Sequence, residues 1–210
     1  MSGSNLALFL LAALIIAAVP GPGIFYVAAR TLSGGSRAGI VSSLGTALGG
    51  CVHVVAGGLG VSAIILASAQ LFAALKLAGA FYLVWLGIKT MRDAGRQPLE
   101  PVASAGAQHA FRDGVMVEAL NPKTAVFFMA FIPQFLEPAT GHLAVQFMTL
   151  GLISVALNTC ADLVVVMLAA TVRTTLARKP SLVRRLRQGS GLFLTGLGIS
   201  LALARRPAAS

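Results

Sequence analysis

Long apolar stretches alternate with short polar ones along the chain. No charged residue interrupts Met1–Ala29, Ala38–Leu75, His142–Ala161 or Gln188–Ala204. A membrane-crossing helix needs about 20 predominantly apolar residues, so the pattern predicts an all-α membrane protein with six spans. Span 1 begins near Leu6 and meets Pro20-Gly21-Pro22-Gly23, after which helix resumes through Ile24–Thr31. Ser33–Arg37 reads as a polar turn. Span 2, about Ala38 to Ala67, is glycine-rich and carries His53; span 3 covers about Gln70 to Thr90. A linker at 91–110 contains Pro98 and Pro101. Span 4 is Phe111–Phe135, and Glu137–His142 is a short turn. Span 5, about Leu143 to Val172, carries Asn158 and Asp162, and a basic loop, Arg173–Arg187, leads to span 6 at Gln188–Ala204.

Two spans carry helix breakers. Proline lacks a backbone donor and disfavours helix at the residue before it. Span 4 should therefore break near Asn121 and restart with Asn121 as N-cap and Pro122 in the first turn. Broken backbone in a bilayer must face protein or a cavity, and the break brings Glu118 and Lys123 to one depth. The Pro20–Gly23 break is its counterpart in span 1. The linker thus divides two halves of three spans, about 1–90 and 111–204, each opening on a broken span. Three is odd, so the halves are inverted with respect to each other. Paired interrupted spans in inverted halves point to a transporter site near the bilayer midplane.

Composition agrees with the pattern. The 210 residues are 57% hydrophobic and 10% charged, against about 25% charged in a soluble domain. The mean hydropathy is +0.86. A net charge of +10 raises the question of nucleic acid, but its placement between apolar spans indicates membrane orientation instead. Twelve of the 16 Lys and Arg lie in the loops after spans 1, 3 and 5. The positive-inside rule puts those loops in the cytoplasm and both termini outside. The N-terminal run lacks a basic leader and reads as a span rather than a secretory signal.

The signatures resemble those of the LysE/RhtB family of amino-acid exporters over nearly the whole chain. The likeness rests on Pro20-Gly21-Pro22 followed by a basic, glycine-containing turn, and on the span 3 run from Lys76 to Gly87. It continues through Gly114, Asn121-Pro122-Lys123, Phe127-Phe128 and Pro133-Gln134-Phe135 in span 4. The resemblance implies a secondary transporter in the bacterial inner membrane. Such a protein exports amino acids or related small zwitterions by proton antiport, with no enzymatic activity, no cofactor and no nucleic-acid partner. The implied partners are the substrate, protons and the lipid bilayer; a homo-oligomer is left open.

Physical chemistry supplies candidate roles. Helix N-termini offer free N–H groups and partial positive charge to a carboxylate. The expected substrate-binding set is therefore Pro20, Gly21, Pro22, Gly23, Asn121, Pro122, Lys123 and Asn158. Lys123 adds a full charge, although in the first turn of a half-helix it meets the positive end of the dipole. That cost is understandable if an anion visits the site, and removing the lysine is then expected to relieve repulsion. Asp162, Glu118 and His53 are the candidates for proton coupling. Asn158 and Asp162, four residues apart, share a helical face. A structural Glu118–Lys123 ion pair is the competing reading of those two residues, and Tyr26 is a weaker candidate for substrate contact. Two rival functions use other residues. Cys51 and Cys160, one in each half, suit a thiol–disulfide reductant carrier. A metal-ion exporter would require clustered His, Cys and carboxylates.

Overall fold

The computed structural model describes residues 3–67, 69–94, 107–171 and 180–203, and every regular element among them is helical. The elements are α1 (Gly3–Ala18), α2 (Pro22–Ala67), α3 (Ala69–Asp93), α4 (Ala107–Ala119), α5 (Pro122–Val126), α6 (Leu143–Thr171) and α7 (Pro180–Leu203). Most of the expected linker and the first part of the basic loop before span 6 lie outside the described residues; the rest of that loop, from Pro180 to Arg187, is helical and begins α7.

Two helical stretches among the described residues, Pro22–Gly60 and Leu143–Thr171, are long and apolar enough to cross a membrane. Gln108–Ala119 and Pro122–Phe135 make a third if the pair, bent by 43°, is one span. Large apolar side chains face outward along the helices, among them Leu8 of α1, Leu59 of α2, Phe81 of α3 and Met167 of α6, as expected where the surroundings are lipid.

Span 4 breaks at the position expected. Asn121 is extended, with φ −72° and ψ 110°, and its side chain accepts a hydrogen bond from the Lys123 backbone N–H at 3.0 Å. Beyond α5 the chain widens into a π-turn, Phe127–Phe131, then tightens into a 3₁₀ turn, Ile132–Phe135. Pro133 accounts for this change: it offers no N–H to the carbonyl four residues back and crowds it.

The polar turn expected at Ser33–Arg37 contracts to one residue. Gly35, at φ 78°, is the only non-helical position inside α2, in a region that side chains disfavour. Helix continues on both sides of this kink, so the half-helix after the first break runs directly into the second span.

α2 packs most extensively on α4 and α6, and α3 on α7. Glycine permits the closest approaches. A Cβ at Gly114 of α4 would lie 2.7 Å from the Ser42 carbonyl oxygen of α2, and one at Gly198 of α7 would lie 2.7 Å from the Ala80 carbonyl oxygen of α3. The π-turn sits between two apolar clusters. Phe127 and Phe128 pack with Phe9, Phe147 and Leu150 on one side, while Val126 and Ala130 pack with Val19, Leu83 and Leu194 on the other.

Candidate functional site

The two helix breaks meet, and each supplies what the other lacks. Pro20 cannot donate to the Ile16 carbonyl four residues earlier, so α1 ends on under-satisfied oxygens. Lys123, buried at 5% exposure, donates from Nζ to the Val19 carbonyl at 3.0 Å and the Ile16 carbonyl at 3.4 Å. Pro122 likewise leaves the Glu118 carbonyl without its helical donor. The Asn121 N–H reaches that oxygen at 3.0 Å, and His53 Nε2 of α2 lies 3.0 Å from it. A carbonyl can only accept, so this contact assigns the His53 proton to Nε2. Thus a lysine after the second break completes the first, and a histidine from α2 completes the second.

This geometry corrects the repulsion expected at Lys123. Its backbone begins α5, but its ammonium extends to the C-terminal, negative end of α1, where a cation is favoured. Glu118 takes the complementary position. Its carboxylate accepts from Asn121 Nδ2 at 2.9 Å and from Thr124 Oγ1 at 2.6 Å. It also lies against Gly23 in the first turn of α2, close enough that a Cβ there would collide with Oε2. The helix start after Pro22, expected to be open to a substrate carboxylate, therefore already faces a carboxylate of the chain. Because these donors and acceptors are engaged elsewhere, Glu118 and Lys123 do not form a direct ion pair among the described residues.

The Pro20–Gly23 motif gains a physical role here. The prolines stop the helix. A Cβ at Gly21 would lie 3.2 Å from Cδ, Cε and Nζ of Lys123, and Gly23 makes the matching space for Glu118.

Beside the breaks is a cavity of about 30 Å³, lined among others by Ile16, Thr46, Glu118, Lys123, Thr124 and Asn158. It has room for water but not for an amino acid. Of the expected substrate-binding residues, Lys123 and Asn158 line it. Asn121 is fully engaged at the break, and Pro20, Gly21, Pro22 and Gly23 stand behind Lys123 and Glu118. Among the expected proton-coupling residues, Glu118 lines the cavity, Asp162 is wholly buried one helical turn beyond Asn158, and His53 contacts the Glu118 backbone rather than its carboxylate.

Several contributing residues were not singled out from the sequence. Thr46 of α2 donates to Asp162 Oδ2 at 2.8 Å, and Thr124 holds Glu118. Arg30, counted among the loop cations, is instead buried within α2 and donates to Asp113 Oδ2 of α4 at 2.6 Å and to the Tyr26 hydroxyl at 3.0 Å. Tyr26 donates onward to the Ala110 carbonyl at 2.8 Å, so it ties α2 to α4 away from the cavity. A buried arginine two helical turns after a break and an aspartate five residues before Glu118 were the available signals. Cys51 is half-buried and Cys160 exposed, both as free thiols. Among the described residues no group of three or more His, Cys, Asp or Glu could hold a metal ion.

Comparison with known proteins gives the same picture over almost the full length. The chain is 34% identical to an uncharacterized membrane protein of Vibrio cholerae, covering 94% of this chain and 96% of the relative. It is 31% identical to a homoserine/homoserine lactone efflux protein of Salmonella typhimurium, covering 94% and 95%. It is 27% identical to a leucine efflux protein of Salmonella choleraesuis, covering 92% of each. No solved structure matches the chain. The profile of the LysE type translocators matches residues 14–205, a span that takes in both breaks, the cavity and Asp162: this chain is a membrane transporter of the LysE family and not an enzyme.

Proposed function

We propose that this protein exports amino acids or closely related small zwitterions across the bacterial inner membrane by proton antiport. The observation that carries the reading is the reciprocal completion of the two breaks beside one polar cavity. A structural kink has no need of a buried ammonium and a buried carboxylate from the facing break. The efflux functions named for the relatives from Salmonella support the same substrate class.

The groups at the breaks complement both ends of a free amino acid. The Lys123 ammonium suits a substrate carboxylate, which would replace the Ile16 and Val19 carbonyls as its acceptor. The Glu118 carboxylate suits a substrate ammonium, which would replace the donors from Asn121 and Thr124. The Asn158 carboxamide lines the same cavity and adds both a donor and an acceptor. The cavity is smaller than an amino acid, so loading requires the half-helices to separate. The ends of α1 and α5 then exchange bonds within the protein for bonds to substrate. This exchange limits the net cost of opening and ties it to occupancy. Asp162 is the proposed proton carrier.

The six-span, inverted-repeat architecture belongs to the same proposal. The pairing of α2 with α6 and of α3 with α7 supports two structurally matched halves. The basic residues that remain on the odd-numbered connections once buried Arg30 is set aside, eleven of the twelve counted, support a cytoplasmic linker with both termini outside. Pro20, Gly21, Pro22, Gly23, Asn121 and Pro122 shape the site, and Lys123, Glu118 and Asn158 touch substrate. The test is efflux from everted membrane vesicles against a panel of amino acids under an imposed pH gradient. Gradient-dependent movement of one or a few amino acids is expected; no movement of any amino acid or derivative would overturn the reading.

A further inference from the structure

The interface between α2 and α6 contains a polar cluster that neither break requires. Asp162 has no exposed surface, yet only Oδ2 has a partner, and Oδ1 has none. Ser43, one turn before Thr46 on α2, is equally buried, and its hydroxyl also lacks a partner. Between them, Thr46 Oγ1 lies 2.8 Å from Asp162 Oδ2 and 2.8 Å from the Ser43 carbonyl oxygen.

Counting protons makes the arrangement informative. A hydroxyl has one proton to donate, and here it has two candidate acceptors at equal distance. The Ser43 carbonyl can only accept. If Asp162 is ionised, Thr46 donates to Oδ2. If Asp162 is protonated on Oδ2, the acid donates to Thr46 Oγ1, and Thr46 donates to the Ser43 carbonyl. Both states satisfy the same heavy-atom positions, and they differ by the one proton and by the direction in which the Thr46 hydroxyl points. The acidic and basic side chains nearest this cluster from the other elements are Glu118 of α4 and Lys123 of α5, which line the cavity with Thr46 and with Asn158, one turn before Asp162; from α2 Asp162 meets the Thr46 hydroxyl. Two carboxylates and one ammonium leave this buried set one positive charge short of neutrality, which a proton supplies. Thr46 also lines the cavity beside Glu118 and Lys123.

We propose that Thr46 is a proton-positioning residue, a two-way hydroxyl that holds Asp162 in both its charged and neutral forms and links that carboxyl to the substrate cavity. The proposal rests on the export reading for its purpose and on the geometry for its content. On release, the Thr46 O–H bond breaks and its proton passes to water in the cavity that Thr46 lines, while Oγ1 takes the proton from Asp162 Oδ2, so that the new O–H donates to the resulting carboxylate. Reloading reverses these events, and no electrons change hands. Thr46 does not itself bind substrate in this scheme.

The test uses purified full-length protein and does not depend on knowing the substrate. Infrared difference spectra are recorded across a pH titration, and the Asp162 carboxylic-acid band is assigned by its loss in Asp162→Asn. Thr46→Val keeps the side-chain shape and removes the hydroxyl. It is expected to move the titration midpoint by about one pH unit, an approximately tenfold change in proton affinity, as one lost hydrogen bond to a charged group implies. Thr46→Ser is expected to restore the wild-type midpoint. If Thr46→Val does not fold, Thr46→Ala makes the same comparison. Unchanged midpoints, or no band titrating with Asp162, would overturn the proposal. In proteoliposomes the pH profile of efflux should shift in Thr46→Val and return in Thr46→Ser; a uniform loss of rate with an unshifted profile would mean a merely structural role. Should the wild type move no amino acid, the export reading fails while the infrared result still decides the role of Thr46.

Discussion

Replacing Gly23 by alanine should be disproportionately damaging for a glycine at an ordinary helical position. The new methyl would collide with Glu118 Oε2. That carboxylate cannot retreat freely, because Asn121 holds one oxygen at 2.9 Å and Thr124 the other at 2.6 Å. Moving away sacrifices at least one hydrogen bond to a charged group, roughly 1.5–3 kcal/mol. Alanine in place of glycine returns about 0.5–1 kcal/mol through lower backbone entropy. The net expectation is a loss of about 1–2 kcal/mol, accompanied by loss of transport. Gly60→Ala is the control, since a Cβ at Gly60 meets nothing within 4 Å; it should be neutral or slightly stabilising. The assay is thermal unfolding of purified protein in one detergent, supplemented by Gly23→Ala combined with Glu118→Asp. The shorter acid withdraws from the methyl, so the double variant should recover stability relative to the sum of the single changes, a coupling of about 1 kcal/mol. Identical melting of Gly23→Ala and Gly60→Ala, or strict additivity in the cycle, would refute the close-packing account of the motif.

Other consequences follow from the same contacts. Lys123→Ala should lower thermal stability by about 1–3 kcal/mol, because it strips a charged donor from the Ile16 and Val19 carbonyls; unchanged or higher stability would restore the view that the lysine is strained. Asp113→Ala should destabilise by about 1–3 kcal/mol by removing one charged partner of the buried Arg30 guanidinium, a range reduced because Asp113 is itself half-exposed, and a denaturation series measures it. An impermeant thiol reagent applied to intact cells should fail to label a cysteine introduced at Ala103; labelling from outside would invert the topology.

Much of the framework was legible because membrane spans are long and their breakers are few. Apolar run lengths gave the helical class. Pro122 gave the break at Asn121 and even its capping hydrogen bond, since a missing N–H and a crowded preceding residue are local properties of the chain. The partners across the break were not legible. Nothing local says that the Lys123 ammonium travels to α1, because the destination depends on how the first break lies against the second. The sequence placed Lys123 at the wrong end of a dipole for that reason: it fixed the position of the Cα but not the reach of a four-carbon side chain. Arg30 was misplaced for a related reason. A five-residue polar stretch looks like a loop, yet Gly35 alone absorbs the turn, and the helix carrying Arg30 stays packed against α4. Thr46 escaped notice because a threonine in a glycine-rich span is unremarkable until the acid opposite it, 116 residues later, is brought within hydrogen-bond distance.

The central claim is that an amino acid is carried at the cavity beside the two breaks, and Asn158 tests it most directly. Its carboxamide lines the cavity and makes no hydrogen bond to the rest of the described structure, so removing it should cost little stability, unlike any change at Lys123, Glu118 or Asn121. The measurement is pH-gradient-driven efflux from proteoliposomes loaded with a mixed amino-acid pool, comparing wild type with Asn158→Ala of matched melting temperature. The expected result is export of one or a few amino acids by the wild type and about a tenfold lower rate at subsaturating substrate in the variant, the effect of one lost hydrogen bond to a charged group. Export of amino acids at equal rates by both proteins would contradict the placement of the site, and no export by the wild type would contradict the function.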